Sequence, residues 1–410
     1  MKSKKFVLGT LLLAATLGMT ACGSSSKDVV LWNPFTGNDG DFFQKMVDDY
    51  NKTNPEVKIK SVITPDMYTK INTVMNSKKD KDVPDLTIIH AEKVELFQSQ
   101  GLLQDMDSII AAQPNLKEEN FVESAWKSGE VGGKRYTVPL DVHSVPLYYN
   151  EDLLNKYLPT ALDDGVITWD EIDEITPKAK ADGIVTYPIA EESRTLLALV
   201  SELGGEVEKD GVPTLETPEF EKALTQYQHI VESGAAQEDG DDVGQMFQTG
   251  GSVFLQSGTW DVGVLSGIED LNWGMTNTPT WDVDNICNWT SSHQFGMLKK
   301  ERSEEKVKAI GEFLEYVREN SDVWADSGQN VASKVVFESE DYKKRPQAFL
   351  TSSEKELDSM KIFDFKANGT MFDALNLQVR DVCYGRTEVK EGLKAAQKEV
   401  DDKLKAGDQK

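Results

Sequence analysis

Short apolar strands and amphipathic helices alternate near the start of the chain, and this order restricts the folds open to it. Residues 29–32, 57–63 and 86–89 have the apolar character of strands, while residues 42–50 and 68–75 carry apolar side chains at helical spacing. A β-α-β-α-β order of this kind predicts a mostly parallel sheet covered by helices. Ligands of such sheets bind beyond the carboxyl ends of the strands.

A second region of strands and helices follows, and the chain is long enough for two hydrophobic cores, with 410 residues. Residues 147–149 are typical of a strand. Thr168 and Glu171 have the spacing of a capping box, and Thr217 followed by Pro218 also predicts the start of a helix. Two later helices are predicted at residues 307–317 and 389–404.

The first residues have the order of an export signal, with lysines, an apolar run over residues 6–17 and small residues before Cys22. Residues 19–22 resemble a bacterial lipobox in which Met19 replaces the usual leucine. We therefore predict a lipoprotein signal peptide at 1–21 and a lipidated, flexible tether at 22–27. The alternative is an ordinary cleaved signal with an incidental cysteine. Because no later segment is long and apolar enough to cross a bilayer, lipid on Cys22 is the expected membrane attachment.

The charge of the chain excludes one class of partner. The formal charge of −26 becomes −29 when the three lysines of residues 1–21 are removed. Binding to nucleic acid needs surplus Lys and Arg, so we expect no nucleic-acid partner. The acidic stretch at residues 238–242 lacks the regular spacing of a calcium loop, and a solvated loop is the favoured interpretation.

The sequence carries none of the common signatures of catalysis. There are four histidines, none in a His-Glu-x-x-His arrangement or in a Cys/His cluster with zinc spacing. A nucleophile elbow, a phosphate loop and a dinucleotide fingerprint are also missing. We therefore expect no enzyme activity, no cofactor and no metal site. A secreted glycoside hydrolase stays an alternative, because 70 acidic residues make paired carboxylates unavoidable.

Cysteines are sparse outside the tether. Cys287 and Cys383 could form a disulfide in an oxidising compartment, or they could be two buried thiols. A chain of this length does not need the bond for stability. Both alternatives stay open at the level of sequence.

Tryptophans are concentrated in one segment of the chain. Trp260, Trp273, Trp281 and Trp289 lie among Gly, Asp, Asn and Thr residues. An indole face packs against the apolar C–H face of a sugar ring, while planar polar side chains bond to its hydroxyls. We expect at least one of the four to contact ligand. Of the four other tryptophans, we assign Trp126, Trp169 and Trp324 to core packing.

Several stretches, in this order and spacing, carry a resemblance to a known family. They are residues 32–35, 84–89 with 101–103, 133–141 with 147–150, 168–171 and 250–260. The chain resembles the extracellular solute-binding proteins of bacterial ABC importers, in the carbohydrate class that includes maltose- and oligosaccharide-binding proteins. The resemblance implies an α/β, two-lobe periplasmic-binding-protein-like (type II) fold with a hinge and an interlobe ligand cleft.

The same resemblance implies lobe boundaries and a set of cleft residues. Lobe 1 is expected at 28–142 plus 293–328, and lobe 2 at 143–292 plus 329–410. Asp141 is expected to accept hydrogen bonds from sugar hydroxyls at the first crossover, and Trp260 is expected to stack on a sugar ring. The full set of candidate ligand-binding residues is Asn33, Asp39, His90, Asp141, His143, Glu191, Glu192, Arg194, Trp260, Asp261, Trp289 and His293.

The predicted function is that of a monomeric receptor on the extracellular face of the cell membrane of a Gram-positive bacterium. It is expected to bind an oligosaccharide and to deliver it to the permease subunits of an ABC importer. Several loops depart from the pattern of maltose-binding proteins, so the identity of the sugar stays open. A binder of a non-sugar solute is the second alternative; the scarcity of His and Cys disfavours it.

Overall fold

The computed structural model of the protein describes residues 27–77 and 79–407. The predicted signal peptide and Cys22 lie outside these residues. Within the described ranges, no helix combines the length and the apolar character that a membrane span requires.

Sixteen strands occur in the described residues. They are β1 Val29–Asn33, β2 Ile59–Ile63, β3 Leu86–His90, β4 Leu103–Gln104, β5 Glu130–Val131, β6 Lys134–Arg135, β7 Thr137–Pro139, β8 His143–Ser144, β9 Leu147–Asn150, β10 Glu208–Lys209, β11 Val212–Pro213, β12 Phe254–Gln256, β13 Trp273–Thr276, β14 Asn288–Ser291, β15 His293–Leu298 and β16 Met360–Ile362.

Helices make up most of the remaining regular structure in these ranges. The α-helices are α1 Gly37–Lys52, α2 Met67–Ser77, α3 Val94–Ser99, α4 Asp107–Ala112, α5 Glu123–Lys127, α6 Glu151–Tyr157, α7 Trp169–Ala181, α8 Glu192–Glu202, α9 Pro218–Ser233, α10 Val243–Gln248, α11 Val262–Leu265, α12 Glu304–Asn320, α13 Asp322–Ala325, α14 Lys334–Phe337, α15 Glu354–Ser359, α16 Asn368–Cys383 and α17 Val389–Gly407. Short 3-10 turns occur at Asp80–Asp82, Ala91–Lys93, Glu118–Asn120, Thr259–Asp261, Tyr342–Lys344 and Pro346–Thr351.

The main sheet of lobe 1 has the order β2-β1-β3-β15-β4, with β7 also paired to β15. Strand β1 is parallel to β2 and β3, which confirms the parallel pairing predicted from the β-α-β-α-β order of this region. Strand β15 is antiparallel to β3, β4 and β7. The expectation of a mostly parallel sheet is therefore wrong: the sheet is mixed, because β15 enters it from the opposite direction after the chain has passed through lobe 2.

Lobe 2 also differs from the expected βαβ pattern. Its strand β9 lies between β12 and β13, and both pairings are antiparallel. Helices provide most of the remaining mass, and α8, α9, α16 and α17 pack on one another. The predicted helix starts are confirmed: Thr168 and Glu171 form a capping box on α7, and Thr217 caps α9 ahead of Pro218.

Two large hydrophobic clusters confirm two lobes. The first collects residues such as Leu31, Ile88 and Phe295 around the mixed sheet. The second collects residues such as Leu197 and Phe220 around the helices of lobe 2. The periodic side chains read from the sequence supply much of this packing; Phe43, Met46, Val47 and Tyr50, for example, form the buried face of α1.

The packing shifts one of the expected lobe boundaries. Val331, Phe337 and Leu350 belong to the hydrophobic cluster of lobe 1, although residues 329–410 were assigned to lobe 2. These side chains lie in the segment after α13, which stays on the first core. We propose that the last crossing to lobe 2 lies between Met360, which still packs in the first core, and Phe363, which packs in the second.

The crossings between the lobes lie side by side. Strand β14 pairs antiparallel with β8 and parallel with β16, which brings three passages of the chain into one small sheet. The Leu140 N–H donates to the His293 carbonyl, and the Val142 N–H donates to the Asn330 carbonyl. This shared backbone hydrogen bonding holds the hinge region together.

Two open questions of the sequence receive answers from side-chain geometry. Cys287 and Cys383 are free thiols, and burial raises the pKa of Cys287 to about 12. Asp239, in the acidic stretch, pairs with Arg380 and Arg386. The stretch is therefore tied to lobe 2 through arginines, in contrast to a purely solvated loop.

Candidate functional site

Two adjoining cavities form a cleft where the lobes meet. The inner cavity has a volume of about 320 Å³ and the outer cavity about 520 Å³. Both are lined by Glu92, Lys93, Arg194 and Trp289, so they adjoin at these side chains. The inner cavity is further lined by Phe35, Asp39, Tyr68, His90, His143, Trp260, His293 and Gln329.

Three histidines meet at the inner cavity because strand pairing places them there. His293 opens β15 and is the direct antiparallel partner of His90, the last residue of β3. His143 lies on β8 opposite Ser291, two residues before His293. The ring centre of His293 is 4.8 Å from that of His90 and 4.3 Å from that of His143. We call His90, His143 and His293 the histidine wall.

Asp141 lies beneath this wall and does not reach the cavity. Its side chain is 0 % exposed and accepts hydrogen bonds from the His293 N–H, His293 Nδ1, His143 Nδ1 and Trp324 Nε1 at 2.7–3.1 Å. Burial alone would raise its pKa, but His293 and His143 hold the pKa of Asp141 well below its ordinary value. The expectation of a direct sugar contact is wrong, because all of this carboxylate's hydrogen-bonding capacity is directed at protein groups. Asp141 orients two histidines instead.

His90 is fixed from another side. The Tyr68 hydroxyl forms a hydrogen bond of 2.5 Å with His90 Nδ1 and accepts from the His90 backbone N–H at 3.1 Å. Burial lowers the pKa of His90 to about 3. Burial and the neighbouring His293 lower the pKa of His143 as well, whereas Asp141 outweighs burial and raises the pKa of His293. At neutral pH His90 and His143 are therefore neutral imidazoles.

Aromatic side chains from lobe 2 form the opposite side of the inner cavity. Trp260 is partly exposed, and its ring centre lies 6.2 Å from that of His143. Trp289 is nearly buried, with the Arg194 guanidinium 5.0 Å above its ring. Arg194 in turn pairs with Glu191. We call Trp260, Trp289 and Arg194 the tryptophan wall.

The start of helix α8 supplies the polar rim of the outer cavity. Glu191 precedes the helix with a φ of 50°, a left-handed conformation that a residue other than glycine seldom adopts. Glu192 pairs with Arg380 at 3.3 Å. Both glutamates line the outer cavity with Arg194, so these three predicted residues lie together.

Of the two predicted residues near the end of β1, Asp39 lines the inner cavity and Asn33 does not. Asp39 lines the inner cavity and accepts from Gln329 Nε2 at 3.1 Å, and burial raises its pKa. Asn33 is only 1 % exposed, donates to Ser61 Oγ and accepts from the Phe35 N–H. It shapes the loop after β1, so the expectation that Asn33 faces the cleft is wrong.

Asp261 also turns away from both cavities. It accepts a hydrogen bond from Ser257 Oγ at 2.6 Å, and burial raises its pKa. The residues that line the inner and outer cavities do not include it. The structure thus gives Asp261 a bonding partner within its own loop.

The remaining tryptophans lie outside the cleft. Trp273 packs on Tyr148, and Trp281 packs on Trp169 with Lys222 above its ring, both away from the cleft. Of the four tryptophans in the concentrated segment, two therefore line the cavities. The assignment of Trp126, Trp169 and Trp324 to core packing is confirmed by their burial.

Comparison with known proteins agrees with this architecture. The sequence profile of the bacterial extracellular solute-binding proteins matches residues 36–322, which is more than half of the chain. The chain belongs to this family.

Relatives of this solute-binding protein include two that are named as oligosaccharide-binding proteins. A maltotriose-binding protein of Pyrococcus abyssi is 25% identical over 273 residues, covering 65% of this chain and 56% of the relative. An arabinooligosaccharide-binding protein of Bacillus subtilis is 26% identical over 215 residues, covering 50% and 48%. The matched part of the chain thus spans about half the length of these curated relatives.

Solved structures show the two-lobed fold. Maltose-bound MalE3 of T. maritima aligns with a TM-score of 0.76 at 19% identity and covers 92% of this chain and 99% of its own. UgpB of Mycobacterium tuberculosis, in complex with glycerophosphocholine, aligns with a TM-score of 0.76 at 17% identity, covering 93% and 99%. At this identity the likeness establishes the fold of the solute-binding protein, and the predicted two-lobe α/β class is confirmed.

Sequence reasoning missed several cleft residues of this solute-binding protein. Glu92 and Lys93 lie two and three residues after the end of β3, so the rule that ligands bind beyond the carboxyl ends of strands could have found them. Tyr68 and Gln329 carried no comparable signal. Their position depends on contacts with His90 and Asp39, which only the folded chain shows.

Proposed function

We propose that this protein is a receptor that binds an oligosaccharide between its lobes and delivers it to the permease subunits of an ABC importer. The observation that carries the proposal is the pairing of two tryptophans with a polar wall across one cavity. Trp260 and Trp289 offer indole surface from lobe 2, and Asp39 and the histidine wall offer polar atoms facing them.

This arrangement suits the two chemically different surfaces of a sugar ring. Aromatic faces contact the apolar C–H surface, and carboxylate, imidazole and guanidinium groups bond to hydroxyls. Arg194 and Glu92 line both cavities, so polar contacts continue from the inner to the outer compartment. Two adjoining compartments of about 320 and 520 Å³ favour a ligand of more than one ring over a single monosaccharide.

The relatives support a sugar as the solute. The maltotriose- and arabinooligosaccharide-binding proteins are named for oligosaccharides, although each match covers only part of the chain. The structural likeness to a glycerophosphocholine complex makes a polar non-sugar solute the alternative to test. The binding role of the family also favours capture over glycoside hydrolysis.

Hinge closure is the mechanism by which binding would be signalled. A ligand that contacts both walls binds the closed form better than the open form, and it therefore shifts the equilibrium towards closure. The adjacent crossings at Leu140–His293 and Val142–Asn330 give the lobes a common backbone hinge. The importer would recognise the closed form.

Lipid on Cys22 would keep this receptor beside its importer on the extracellular face of the membrane. Anchoring raises the effective concentration of captured solute at the permease. Deletion of residues 23–26 is expected to impair delivery in cells and to leave the solute affinity of the purified protein unchanged. Weaker binding in solution after this deletion would contradict the division of roles.

Calorimetric titration tests the proposal directly. Protein beginning at residue 23 is titrated with maltose, maltotriose, arabino-oligosaccharides and glycerophosphocholine, and small-angle scattering records compaction. The expected result is binding of at least one oligosaccharide with a decrease in the radius of gyration. Binding of glycerophosphocholine alone would overturn the sugar assignment, and release of shorter sugars during incubation would indicate a hydrolase.

A further inference from the structure

The histidine wall has the composition of a metal site that the spacing of the sequence does not show. One ring nitrogen from each of His90, His143 and His293 lies within 4.8 Å of the other two. The sequence-based expectation of no metal site rested on local motifs. These three residues come from separate strands, which the β3–β15 and β8–β14 pairings bring together.

We propose that His90, His143 and His293 bind one divalent transition-metal ion of the Zn²⁺ type, with an open coordination position facing the inner cavity. This goes beyond oligosaccharide binding and does not depend on it. Three protein ligands with a free fourth position are the arrangement of zinc sites that accept an external oxygen.

The distances permit the site after a small adjustment. Zinc–nitrogen bonds are about 2.0–2.1 Å long. Nitrogens that are 4.8 Å apart at most can surround one ion if each ring moves by about 0.7 Å or less. A shift of this size lies within ordinary side-chain adjustment and requires no backbone rearrangement.

The hydrogen bonds around the three rings favour a metal at their other nitrogens. Asp141 accepts from Nδ1 of His143 and Nδ1 of His293, and Tyr68 holds Nδ1 of His90. With the proton of each neutral ring on Nδ1, Nε2 is the nitrogen left for an ion. A carboxylate behind a ligating histidine is the usual partner that fixes its tautomer and increases its basicity.

The carboxylates around the histidine wall agree with this geometry. Asp141 supplies one full negative charge directly behind the rings, and Asp39 and Glu92 line the same cavity. A divalent cation in front of the rings would therefore be compensated by carboxylates close to it.

Zinc titration in the absence of any sugar tests the site. Purified protein is dialysed against a chelator and titrated with ZnCl₂ by calorimetry. We expect one site, with affinity lowered about 100-fold or more in His143→Ala and in His90→Gln, since a lost ligand should cost at least as much as a lost supporting residue. His229→Ala is the matched control, because His229 is an exposed histidine paired with Asp173 on the surface of lobe 2. This control should bind zinc like the unmodified protein.

Cobalt supplies a second measurement that does not depend on the folding of a variant. Co²⁺ bound to the unmodified protein should give the strong visible absorption of a four-coordinate ion. In a separate measurement on its folded fraction, Asp141→Asn should weaken zinc binding by about 10–100-fold and preserve the shape of this spectrum, as expected of a positioning residue.

Four results would overturn the proposal: no zinc binding by the unmodified protein, zinc affinity unchanged in both His90→Gln and His143→Ala, equal loss in His229→Ala, or a purely octahedral cobalt spectrum. The titration contains no oligosaccharide. Failure of sugar binding would therefore leave the zinc result standing, and failure of zinc binding would leave the receptor function standing.

Discussion

On the histidine wall each ring is fixed by hydrogen bonds, whereas on the tryptophan wall the rings are fixed by packing. Asp141 and Tyr68 fix the three imidazoles through Nδ1, and Trp324 supports Asp141 from behind. Trp289 packs edge-on against Phe372 and lies under Arg194. Trp260 keeps part of its surface exposed.

The difference assigns separate tasks to the two walls. A polar group whose orientation is fixed by a buried carboxylate can discriminate the position of a ligand atom. A partly exposed indole supplies contact area that tolerates several orientations of a ring. Specificity should therefore depend mainly on the histidine wall, and affinity for sugar should depend mainly on the tryptophan wall.

The largest effect is expected from Asp141→Asn, which disrupts the support of the histidine wall. Both His293 Nδ1 and Trp324 Nε1 donate to the same carboxylate oxygen of Asp141. The asparagine amide has no negative charge, and its NH₂ group would face N–H groups that are themselves donors. We expect a loss of about 3–5 kcal/mol in the free energy of unfolding, as for other disrupted buried charge pairs. Urea denaturation followed by circular dichroism measures it.

A loss below about 1 kcal/mol would mean that the carboxylate does not hold this wall. Measurement of sugar affinity on the folded fraction then shows whether the misplaced histidines also alter the choice between oligosaccharides. Equal weakening for every sugar would contradict a discriminating role of the histidine wall.

Asp85→Asn provides a buried carboxylate of lobe 1 with different partners. Asp85 is nearly buried and bonds to Lys300 at 2.7 Å, to Lys306 at 2.8 Å and to the Val30 N–H. The expected loss of stability is again about 3–5 kcal/mol. Because Asp85 does not line either cavity, zinc and sugar binding should be unchanged in the folded protein.

The stability that Asp85 contributes through Lys300 and Lys306 should depend on pH in a defined direction. Burial alone would raise the pKa of Asp85, but Lys300 and Lys306 lower it below 3.8. A carboxylate with a lowered pKa stabilises the protein above its unfolded pKa, and this contribution is lost as the pH falls through the folded value. The stability gap between the unmodified protein and Asp85→Asn should be full at pH 7 and should shrink below about pH 4. A gap that widens in acid would contradict the assignment.

Trp260→Ala tests the tryptophan wall. Removal of an aromatic side chain that a bound ligand covers typically costs about 2 kcal/mol, which is about a 30-fold loss of sugar affinity. Trp281→Ala is the matched control, since Trp281 packs on Trp169 outside the cleft. Calorimetry should show a large change in the first variant and none in the second. Equal affinities in both variants would remove Trp260 from the sugar site.

The sequence predicted those parts of the molecule whose cause is local. Helix α1 follows from the spacing of Phe43, Met46, Val47 and Tyr50, because apolar side chains at that spacing occupy one helix face. The antiparallel entry of β15 did not follow, since it depends on pairing with β3 across the whole of lobe 2. The mixed sheet was missed for this reason.

The same distinction between local and long-range causes applies to the candidate site. Trp260 and Trp289 could be proposed as ligand contacts because aromatic residues among polar neighbours are typical of sugar sites. The direction of a side chain could not be predicted: Asn33 turns inward to Ser61, and Asp141 turns to His143 and His293. Both directions depend on hydrogen-bond partners supplied by other parts of the fold.

The smallest effect is expected from Thr168→Ala, which removes the cap of α7 in lobe 2. The Thr168 hydroxyl accepts from the Glu171 N–H, and the Glu171 carboxylate accepts from the Thr168 N–H. Loss of such a cap costs about 1 kcal/mol. Urea denaturation should show this decrease, whereas calorimetry should show unchanged sugar and zinc affinities, because neither Thr168 nor Glu171 lines the cleft. A change in affinity in this variant would mean that the tryptophan wall depends on the stability of α7. The packing within lobe 2 would then control the position of the tryptophan wall.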